Sequence, residues 1–552
     1  MKLLFKRNIL AIIIFSFYFF VGILTFKDYG VGIEEHFQRS SGFYWLNYIL
    51  QFTDFDNLKT IIENKILEIK DFNPNLPPVE IAKNYGIVFD LPAAFIESIF
   101  NIDEPQDYFH LRHFLNYTFF FISGIFFYNI LQKRFSNNFI ALLGSFFYLL
   151  SPRIYGNSFF DGKDLFFLSI LTVTIFFYFK FENRKTIFNL IIFALFSALA
   201  TSSRIVGIII PITFLIIIFF EILGKGNKAE HFKFIFLYIF SYFIFLFLHW
   251  PYLWTLNFYD FLNFFETFRV TAFPIVLFNG EFWDANHLPI RYLPIWILIS
   301  TPVLFLILFF IGISNYLKRV FIRILNIKET SIKNDFWSGL REKKDFFIFL
   351  NFLQIIMMYL SIKLTLFGGW RHFLFLNFFL AYFASFANYL IYLKIRKRKI
   401  IRLICLFLFF TFISEVVYKL YIYHPYQSLY FNNLLSDNKK KLYEVDTQSL
   451  SRSDGIKEII KDNKENGVIT IATASWTPLH NGRSLIKKKY WDNLIFSGTS
   501  NKSKADYIYT NYYYEVDVRY NKKYQIPENF YLYKRLTLDN TVVYSIYKKN
   551  KN

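Results

Sequence analysis

Two short polar stretches carry side chains that could do acid–base chemistry or bind anions. The first, KDYGVGIEEHFQRSSG at 27–42, follows a hydrophobic segment and places two carboxylates side by side, Glu34 and Glu35. A carboxylate at a membrane boundary could act as a general base that deprotonates a hydroxyl group. Adjacent side chains of an extended segment point apart, so one carboxylate would react while the other holds structure. A solvated acidic loop would carry the same two residues.

The second stretch, SPRIYGNSFFDGKD at 151–164, lies between two hydrophobic segments. Asp161 could cap the helix that follows it, with Asp164 three residues further on in a capping-box position. Lys163 would then lie at a helix N-terminus, where the helix dipole disfavours a cation. An anion bound nearby would explain the presence of Lys163.

Three arginines stand at the ends of hydrophobic segments: Arg153 in the second stretch, Arg204 in TSSR, and Arg371 in GGWRHF. Convergent cations at a membrane boundary suit a lipid phosphate or diphosphate. Taken singly, each arginine could equally extend to the headgroups of anionic lipids.

Four other polar residues could support such a site: Arg39, His110, His113 and His372. No carboxylate stands at a fixed spacing from the pair His110 and His113, so we expect these histidines to form hydrogen bonds rather than bind a metal. Glu415 and Lys419 are four residues apart in the last hydrophobic segment, a spacing that predicts an ion pair on one helix face.

The composition predicts that an α-helical membrane protein positions these residues. Of the 552 residues 55% are hydrophobic, and apolar runs long enough to cross about 30 Å of hydrocarbon recur along the chain. The eleven predicted spans are 8–26, 112–131, 138–152, 164–181, 187–203, 205–223, 232–250, 292–314, 345–364, 372–393 and 400–421. The single cysteine, Cys405, excludes an intrachain disulfide.

The distribution of charge predicts the orientation in the membrane. The formal net charge of +20 does not indicate nucleic-acid binding, because alternate short connectors carry between two and eight lysines and arginines each. Such connectors face the cytoplasm. The first loop, 27–111, has 14 acidic against 6 basic residues and is expected on the outer side. The N-terminus is then cytoplasmic, and an odd number of spans places the C-terminal tail outside.

We expect a transmembrane domain at 1–421 and a small extracytoplasmic α/β domain at 422–552. Within 27–111, the apolar stretch 43–52 and the apolar residues at helical spacing over 58–69 predict two short amphipathic helices at the membrane surface. The tail predicts a helix at 454–464, strands at 468–474 and 506–510, and a hairpin of 530–534 with 541–548.

This arrangement resembles the polytopic C-type glycosyltransferases, the GT-C superfold that includes protein O-mannosyltransferases and bacterial aminoarabinose transferases. GIEEHFQR at 32–39 is similar to the acidic pair that follows the first span in these enzymes, although their pair usually begins with Asp. The stretch 151–164 resembles their second outer loop. The resemblance covers residues 1–435 and does not extend to the tail beyond 440.

The resemblance implies an inverting sugar transfer at the outer face of a membrane, expected to be a bacterial inner membrane. The donor would be a polyprenyl-phosphate sugar and the acceptor a glycan, lipid or protein. It implies catalytic roles for Glu34 and Glu35, with Glu34 as the base because it takes the first position of the pair. It implies phosphate binding by Lys163, Arg204, Arg371 and Arg153, supported by Arg39, Asp161, Asp164, His110, His113 and His372. It implies no certain cofactor and leaves open a divalent metal, which some relatives use.

Two other classes stay open from the sequence. One is a transporter or flippase of lipid-linked or envelope saccharides, which should show helices broken near mid-membrane and paired halves. The other is a non-enzymatic envelope-assembly protein, which would need neither the acidic pair nor the cations. No phosphate-binding loop, dinucleotide fingerprint, HExxH or GxSxG motif is present, which argues against nucleotide-driven transport and serine hydrolysis.

Overall fold

The structure, a computed structural model, describes residues 2–74, 76–77, 86–223, 228–257, 259, 275–325, 336–362, 364–463 and 467–550. The connectors 224–227 and 326–335, whose basic residues entered the orientation prediction, lie outside these ranges. The helices are α1 Lys2–Thr25, α2 Glu35–Leu50, α3 Asp56–Phe72, α4 Asp90–Ile99, α5 Pro105–Phe135, α6 Asn138–Leu149, α7 Pro152–Phe160, α8 Asp164–Asn183, α9 Ile187–Ser203, α10 Ile209–Leu223, α11 Lys228–Leu248, α12 Tyr252–Thr255, α13 Tyr292–Ser300, α14 Val303–Leu325, α15 Leu340–Ser361, α16 Leu376–Ile395, α17 Lys399–Ile422, α18 Asp437–Lys440 and α19 Arg452–Asp462. The strands are β1 Ile275–Phe278, β2 Glu281–Asp284, β3 Ile469–Thr473, β4 Leu494–Gly498, β5 Tyr507–Thr510, β6 Phe530–Leu538 and β7 Thr541–Lys549.

The predicted fold class, a polytopic α-helical chain with a small C-terminal α/β domain, is confirmed. Within the described ranges, nine helices are long and apolar enough to cross a membrane. The bent pair α6–α7 adds a tenth candidate, and α9 is a shorter apolar helix of 17 residues. Each of the eleven predicted spans therefore coincides with helical structure.

Proline breaks two of the predicted spans. The span 138–152 ends at Leu149, and the chain bends by 66° before α7 begins at Pro152. The span 292–314 is divided between α13 and α14, and α14 continues to Leu325. In both cases the residue before the proline is extended, because the proline ring disfavours helical backbone there.

The third boundary correction concerns the tenth span, predicted at 372–393. Residues Arg371–Phe373 form a separate 3₁₀ turn, and α16 begins only at Leu376. The positive φ angles of Gly368 and Gly369, both +69°, turn the chain just before this segment, a conformation that glycine adopts without strain. Arg371 therefore lies on a turn rather than on the helix.

The first loop holds three helices in its described part instead of the predicted two. The two predicted ones are α2 and α3, and α4 is the additional one. Pro92 in the first turn of α4 does not interrupt it, because the first N–H groups of a helix have no intrahelical acceptor.

The C-terminal part forms a five-stranded mixed sheet in the order β4–β3–β5–β7–β6. The predicted helix, the two predicted strands and the hairpin are confirmed as α19, β3, β5 and β6–β7. The sequence analysis missed β4 and the separate hairpin β1–β2. Arg452 of α19 donates to the carbonyl of Val31 over 2.6 Å, so this domain contacts the turn that carries Glu34.

The helical part packs around an aromatic and aliphatic core shared mainly by α5, α6, α8, α9, α14 and α16. Helices α14 and α16 approach so closely at Gly312 that an added Cβ would collide with the carbonyl of Phe383. Small residues that permit such backbone contact are typical of interfaces between membrane helices.

Candidate functional site

The two adjacent carboxylates of the first loop lie in different surroundings. Glu35 is the first residue of α2 and is 3% exposed. Its Oε2 accepts from the Gly32 N–H over 2.6 Å and lies 3.2 Å from Nε2 of His113. The Glu34 side chain is 34% exposed, and its Oε1 accepts from Nη2 of Arg371 over 2.6 Å. Glu35 thus fixes the turn, while Glu34 faces open space beside a cation.

Arg371 and Arg204 join Glu34 to the second polar stretch. Arg371 Nε lies 3.4 Å from Oδ2 of Asp164, and Arg204 forms an ion pair with the same carboxylate. We call the residues Glu34, Asp161, Lys163, Asp164, Arg204 and Arg371 the Glu34 cluster. Its members come from the turn before α2, the α7–α8 turn, the end of α9 and the turn before α16. The fold therefore brings together six of the twelve residues that the sequence singled out.

Asp161 caps α8 through one oxygen only. Its Oδ1 accepts from the backbone N–H groups of Lys163 at 3.3 Å and Asp164 at 2.8 Å. Its Oδ2 is buried and has no hydrogen-bond partner among the described residues. A buried carboxylate oxygen without a donor is costly, so this atom is a candidate for contact with a ligand.

Two pockets adjoin the cluster. The Lys163 pocket is open to solvent, and Glu34 and Lys163 both line it. Its other walls are Phe37, Gln38, Ser41, Gly86, Val88, Phe89, Asp90, Gly162, Phe166 and Ser203. Both Arg153 and Arg371 line the second, the Arg153 pocket. Since Arg371 is bonded to Glu34, the two pockets meet at this ion pair.

Two carboxyl groups of the Glu34 cluster, those of Glu34 and Asp161, have pKa values that are shifted in opposite directions. Burial raises the pKa of Glu34, but the charges of Arg371, Lys163 and Arg204 outweigh it and lower the pKa to about 2. Burial raises the pKa of Asp161 to about 6. The charge of Arg371 lowers this pKa, and the charge of Glu34 raises it further. Asp161 is the stronger base of the two in the resting protein.

Six of the twelve predicted site residues lie outside the Glu34 cluster, and three of these six make their contacts within the first loop and its neighbours. Arg39 is bound to Glu97, with Nε to Oε1 at 3.1 Å, and stacks on Tyr108 at 3.6 Å. His113 contacts Glu35, and His110 packs edge-on against Phe26. These contacts hold the first loop together and leave the pockets to other residues.

His372 lies at the edge of the cluster. Arg371 Nη2 donates to its Nε2 over 3.4 Å, and its ring packs edge-on against Phe367. Burial, with Arg371 adding to it, lowers the pKa of His372 well below its usual value. The imidazole is therefore neutral and accepts a hydrogen bond from Arg371.

The predicted site residues did not include Gln38 and Asp90, which line the Lys163 pocket. Gln38 belongs to the first polar stretch, and its buried Oε1 has no hydrogen-bond partner among the described residues. Asp90 forms an ion pair with Arg112. Nothing in the local sequence around Asp90 marks it, because the contact is made between α4 and α5.

Among the described residues no group of three or more His, Cys, Asp or Glu side chains could hold a metal ion.

Neither a protein-family model nor a curated protein sequence matches the chain. Among solved structures, it is similar to a crystal structure of the oligosaccharyltransferase of Archaeoglobus fulgidus, which was tethered to an acceptor peptide containing the sequon NVT. The match has 12% sequence identity and a TM-score of 0.38, and it covers 78% of this chain and 61% of that chain. This chain thus matches about three fifths of that protein's length. A likeness this distant does not establish a shared activity.

Proposed function

We propose that the chain is a membrane glycosyltransferase of the C-type class that moves a sugar from a polyprenyl-phosphate donor to an acceptor. The observation that carries this proposal is the Glu34 cluster beside the Lys163 pocket. One partly exposed carboxylate and three cations from four distant segments come together in this cluster, and Glu34 and Lys163 line a pocket that also has three phenylalanines in its wall. The fit of these groups to a lipid phosphate and an attacking hydroxyl supports the proposal, as does the resemblance of 27–42 and 151–164 to C-type enzymes.

The Lys163 pocket suits the donor. Its phenylalanines, Phe37, Phe89 and Phe166, would contact the first units of a polyprenyl chain. Lys163, Arg204 and Arg371 would bind the phosphate and stabilise the negative charge that develops on it as the sugar leaves. We assign the donor phosphate to these three cations of the Glu34 cluster and not to Arg153, which lies outside the cluster and lines the Arg153 pocket.

In the proposed reaction the acceptor hydroxyl loses its proton to Glu34 and attacks the anomeric carbon from the face opposite the phosphate. The bond between that carbon and the phosphate oxygen breaks, and polyprenyl phosphate leaves with the electron pair. A single displacement inverts the anomeric configuration. Binding of the phosphate to Arg371 and Lys163 would offset the cations that now lower the pKa of Glu34 and so make it a better base.

We propose that residues 1–421 form the membrane domain and 422–552 an outer domain, with the cluster on the outer face of the membrane. The acidic first loop and the basic opposite connectors support this orientation. A bacterial inner membrane, where polyprenyl-phosphate carriers would supply the sugar, fits this assignment.

A transporter is the second candidate, and one observation favours it. The 66° bend between α6 and α7 is the kind of broken helix that forms substrate sites in transporters. The bend leads directly into the Glu34 cluster, however, so it also explains how an enzyme would position Asp161 and Lys163.

The test uses the purified full chain in lipid nanodiscs with a panel of radiolabelled polyprenyl-phosphate sugars and an extract of bacterial envelope lipids and glycans, which supplies acceptor hydroxyl groups. We expect release of polyprenyl phosphate with at least one donor. Lys163→Met should raise the donor KM, whereas Lys419→Met, which removes a cation bound to Asp539, should not. Absence of cleavage across a broad panel would overturn the proposal. Translocation of an uncleaved donor in proteoliposomes would establish the transporter instead.

A further inference from the structure

Arg153 does not join the other cations, although the sequence grouped it with them. Its side chain lines the Arg153 pocket together with Asn157, Gly368, Trp370, Leu374 and residues of the C-terminal part. Arg371 lines the same pocket and also binds Glu34. The pocket therefore extends from Arg153 to the edge of the Glu34 cluster.

Among the residues that the structure describes, no acidic side chain forms an ion pair with the buried guanidinium of Arg153. The residue is 7% exposed and stacks against Trp296 at 4.9 Å and Phe431 at 5.1 Å. Its Nε donates to the carbonyl of Tyr430 over 3.0 Å, while its buried Nη2 has no hydrogen-bond partner in the described ranges. An arginine stays charged in proteins, and a buried charge without a partner is costly. A buried guanidinium with an unused donor is suited to bind an anion.

Other hydrogen-bond donors in the same pocket also lack partners. The indole Nε1 of Trp370 and the hydroxyl of Ser428 are buried and unbonded in the part of the chain that the structure describes. Both residues line the pocket, and none of its described lining residues is acidic. A pocket rich in donors and without a carboxylate is complementary to an oxyanion.

We propose that the Arg153 pocket binds an anionic group of the acceptor, a carboxylate or a phosphate, and so orients the acceptor hydroxyl toward Glu34. The inference rests on the proposed glycosyltransferase function. The donor occupies the Lys163 pocket on one side of the Glu34–Arg371 pair, and the acceptor occupies the Arg153 pocket on the other side. The two substrates then meet at the carboxylate that removes the proton.

The proposal also assigns a role to the C-terminal domain. Val445, Thr447 and Gln448 line the Arg153 pocket together with Ser428, and all four follow the last membrane helix, which ends at Ile422. The outer domain thus supplies part of the wall that selects the acceptor.

The experiment measures binding of three probes to the full chain in nanodiscs, in the absence of donor: glucose, glucuronate and glucose 6-phosphate. Titrations of intrinsic tryptophan fluorescence suit this site because Trp370 and Trp296 surround Arg153. We expect at least one charged probe to bind at least tenfold more tightly than glucose, and the preferred probe identifies the group as a carboxylate or a phosphate. Arg153→Met should weaken that probe at least tenfold, and Arg153→Lys should retain part of the affinity.

Lys163→Met is the matched control, because it removes a cation from the other pocket and should leave the affinity of the charged probe within twofold. Equal binding of all three probes, or an unchanged affinity in both Arg153 variants, would overturn the inference. An equal loss in Lys163→Met would place the anion in the donor pocket and overturn it as well. Donor cleavage with no charged-probe binding rejects only the acceptor site, whereas probe binding without any donor cleavage rejects the proposed function and leaves an anion site.

Discussion

Two buried groups of charges lie at opposite ends of α8, and they differ in how completely they are paired. At one end, Asp164 belongs to the Glu34 cluster. At the other end, Glu182 forms an ion pair with Lys343, which precedes Asp345 by two residues. The 18 residues from Asp164 to Glu182 span about 27 Å of helix, close to the thickness of a hydrocarbon core. The two groups therefore lie near the two faces of the membrane that the chain would cross.

The group around Asp345 is closed, in the sense that both oxygens of its central carboxylate accept hydrogen bonds. Asp345 is 0% exposed, and its two oxygens accept from Arg134, Arg319 and the hydroxyl of Tyr382. We call Arg134, Arg319, Asp345 and Tyr382 the Asp345 cluster. The Glu34 cluster instead contains a partly exposed carboxylate and an unbonded oxygen on Asp161. Since buried charges are tolerated when fully paired, this difference supports our proposal that the Glu34 cluster binds a ligand, whereas the Asp345 cluster would hold helices together.

The largest effect that would test this comparison is the loss of activity in Glu34→Gln. Glutamine keeps the volume of the side chain but cannot accept the acceptor proton, so the transfer rate should fall by about 10²–10⁴-fold. The yield of folded protein should stay at the wild-type level because Glu34 faces a pocket. The measurement is transfer from the polyprenyl-phosphate sugar that the donor panel identifies, at equal protein concentration.

Glu35→Gln is the matched control, because it changes the neighbouring carboxylate that bonds Gly32 and His113. It should lower the thermal midpoint and leave more activity per folded molecule than Glu34→Gln. A fully active Glu34→Gln enzyme would shift the proposed base to Asp161, which Asp161→Asn would then have to inactivate.

The second prediction concerns the Asp345 cluster. Asp345→Asn leaves Arg134 buried without its counter-charge, a change that typically costs about 3–5 kcal/mol. Arg319 is partly exposed and keeps Glu342 as a second partner, so it contributes less to this cost. We expect little folded protein after detergent extraction, measured by size-exclusion chromatography. Any folded fraction should retain its specific activity. Normal yield together with lost activity would mean that the Asp345 cluster is functional and that degree of pairing does not separate the two roles.

The third prediction concerns Arg371, which belongs to both substrate sites in the proposal. Arg371→Lys retains the charge but not the planar group that contacts Glu34 and Asp164 together. We expect the donor KM to rise on the order of tenfold, with a further effect on the acceptor KM. Arg204→Met should affect the donor KM alone, since Arg204 contacts Asp164 and lies outside the Arg153 pocket. Equal effects of both variants on both substrates would indicate a structural role for the pair.

The sequence predicted the helices well because their signal is local. Apolar runs of spanning length marked eleven helical segments. The predicted boundaries of 138–152 and 292–314 were wrong because Pro152 and Pro302 interrupt the apolar runs. The candidate site was harder, because its partners are distant in sequence. Arg371 and Glu34 are 337 residues apart, and no spacing rule connects them.

Lys419 shows how a local rule fails when a distant partner is available. The spacing of four residues predicted a pair with Glu415, yet Lys419 binds Asp539 over 3.0 Å and Glu415 accepts from Asn433 over 3.1 Å. The prediction was wrong because the C-terminal domain brings a carboxylate to the end of α17. Arg153 was grouped with the other cations for a similar reason, since sequence position shows which side of the membrane a residue faces but not which pocket it lines.

A buried carboxyl outside both clusters provides the last and smallest test. Glu444 is 4% exposed, and neither of its oxygens has a hydrogen-bond partner of good geometry among the described residues. Burial raises the pKa of Glu444 to about 8, although the nearby backbone N–H groups of Gly368, Leu277 and Gly369 and the charge of Arg371 lower it. The folded protein therefore holds Glu444 protonated at neutral pH.

A carboxyl whose pKa is raised by folding contributes stability that is fully present below its unfolded pKa of about 4.3 and is lost as the pH rises through about 8. Glu444→Gln mimics the protonated form at every pH. At pH 8.5 we expect the thermal midpoint of the variant to lie at least about 2 °C above that of wild type, a shift typical of about 1 kcal/mol in a chain of this size or smaller. At pH 5 the two midpoints should match. The measurement is thermal unfolding of the full chain in nanodiscs, with Glu528→Gln as an exposed control that should show no such pH dependence. If Glu444→Gln instead lowers the midpoint at pH 8.5, the carboxylate is paired in its charged form, and Glu444 belongs with the closed group of charges rather than with the open one.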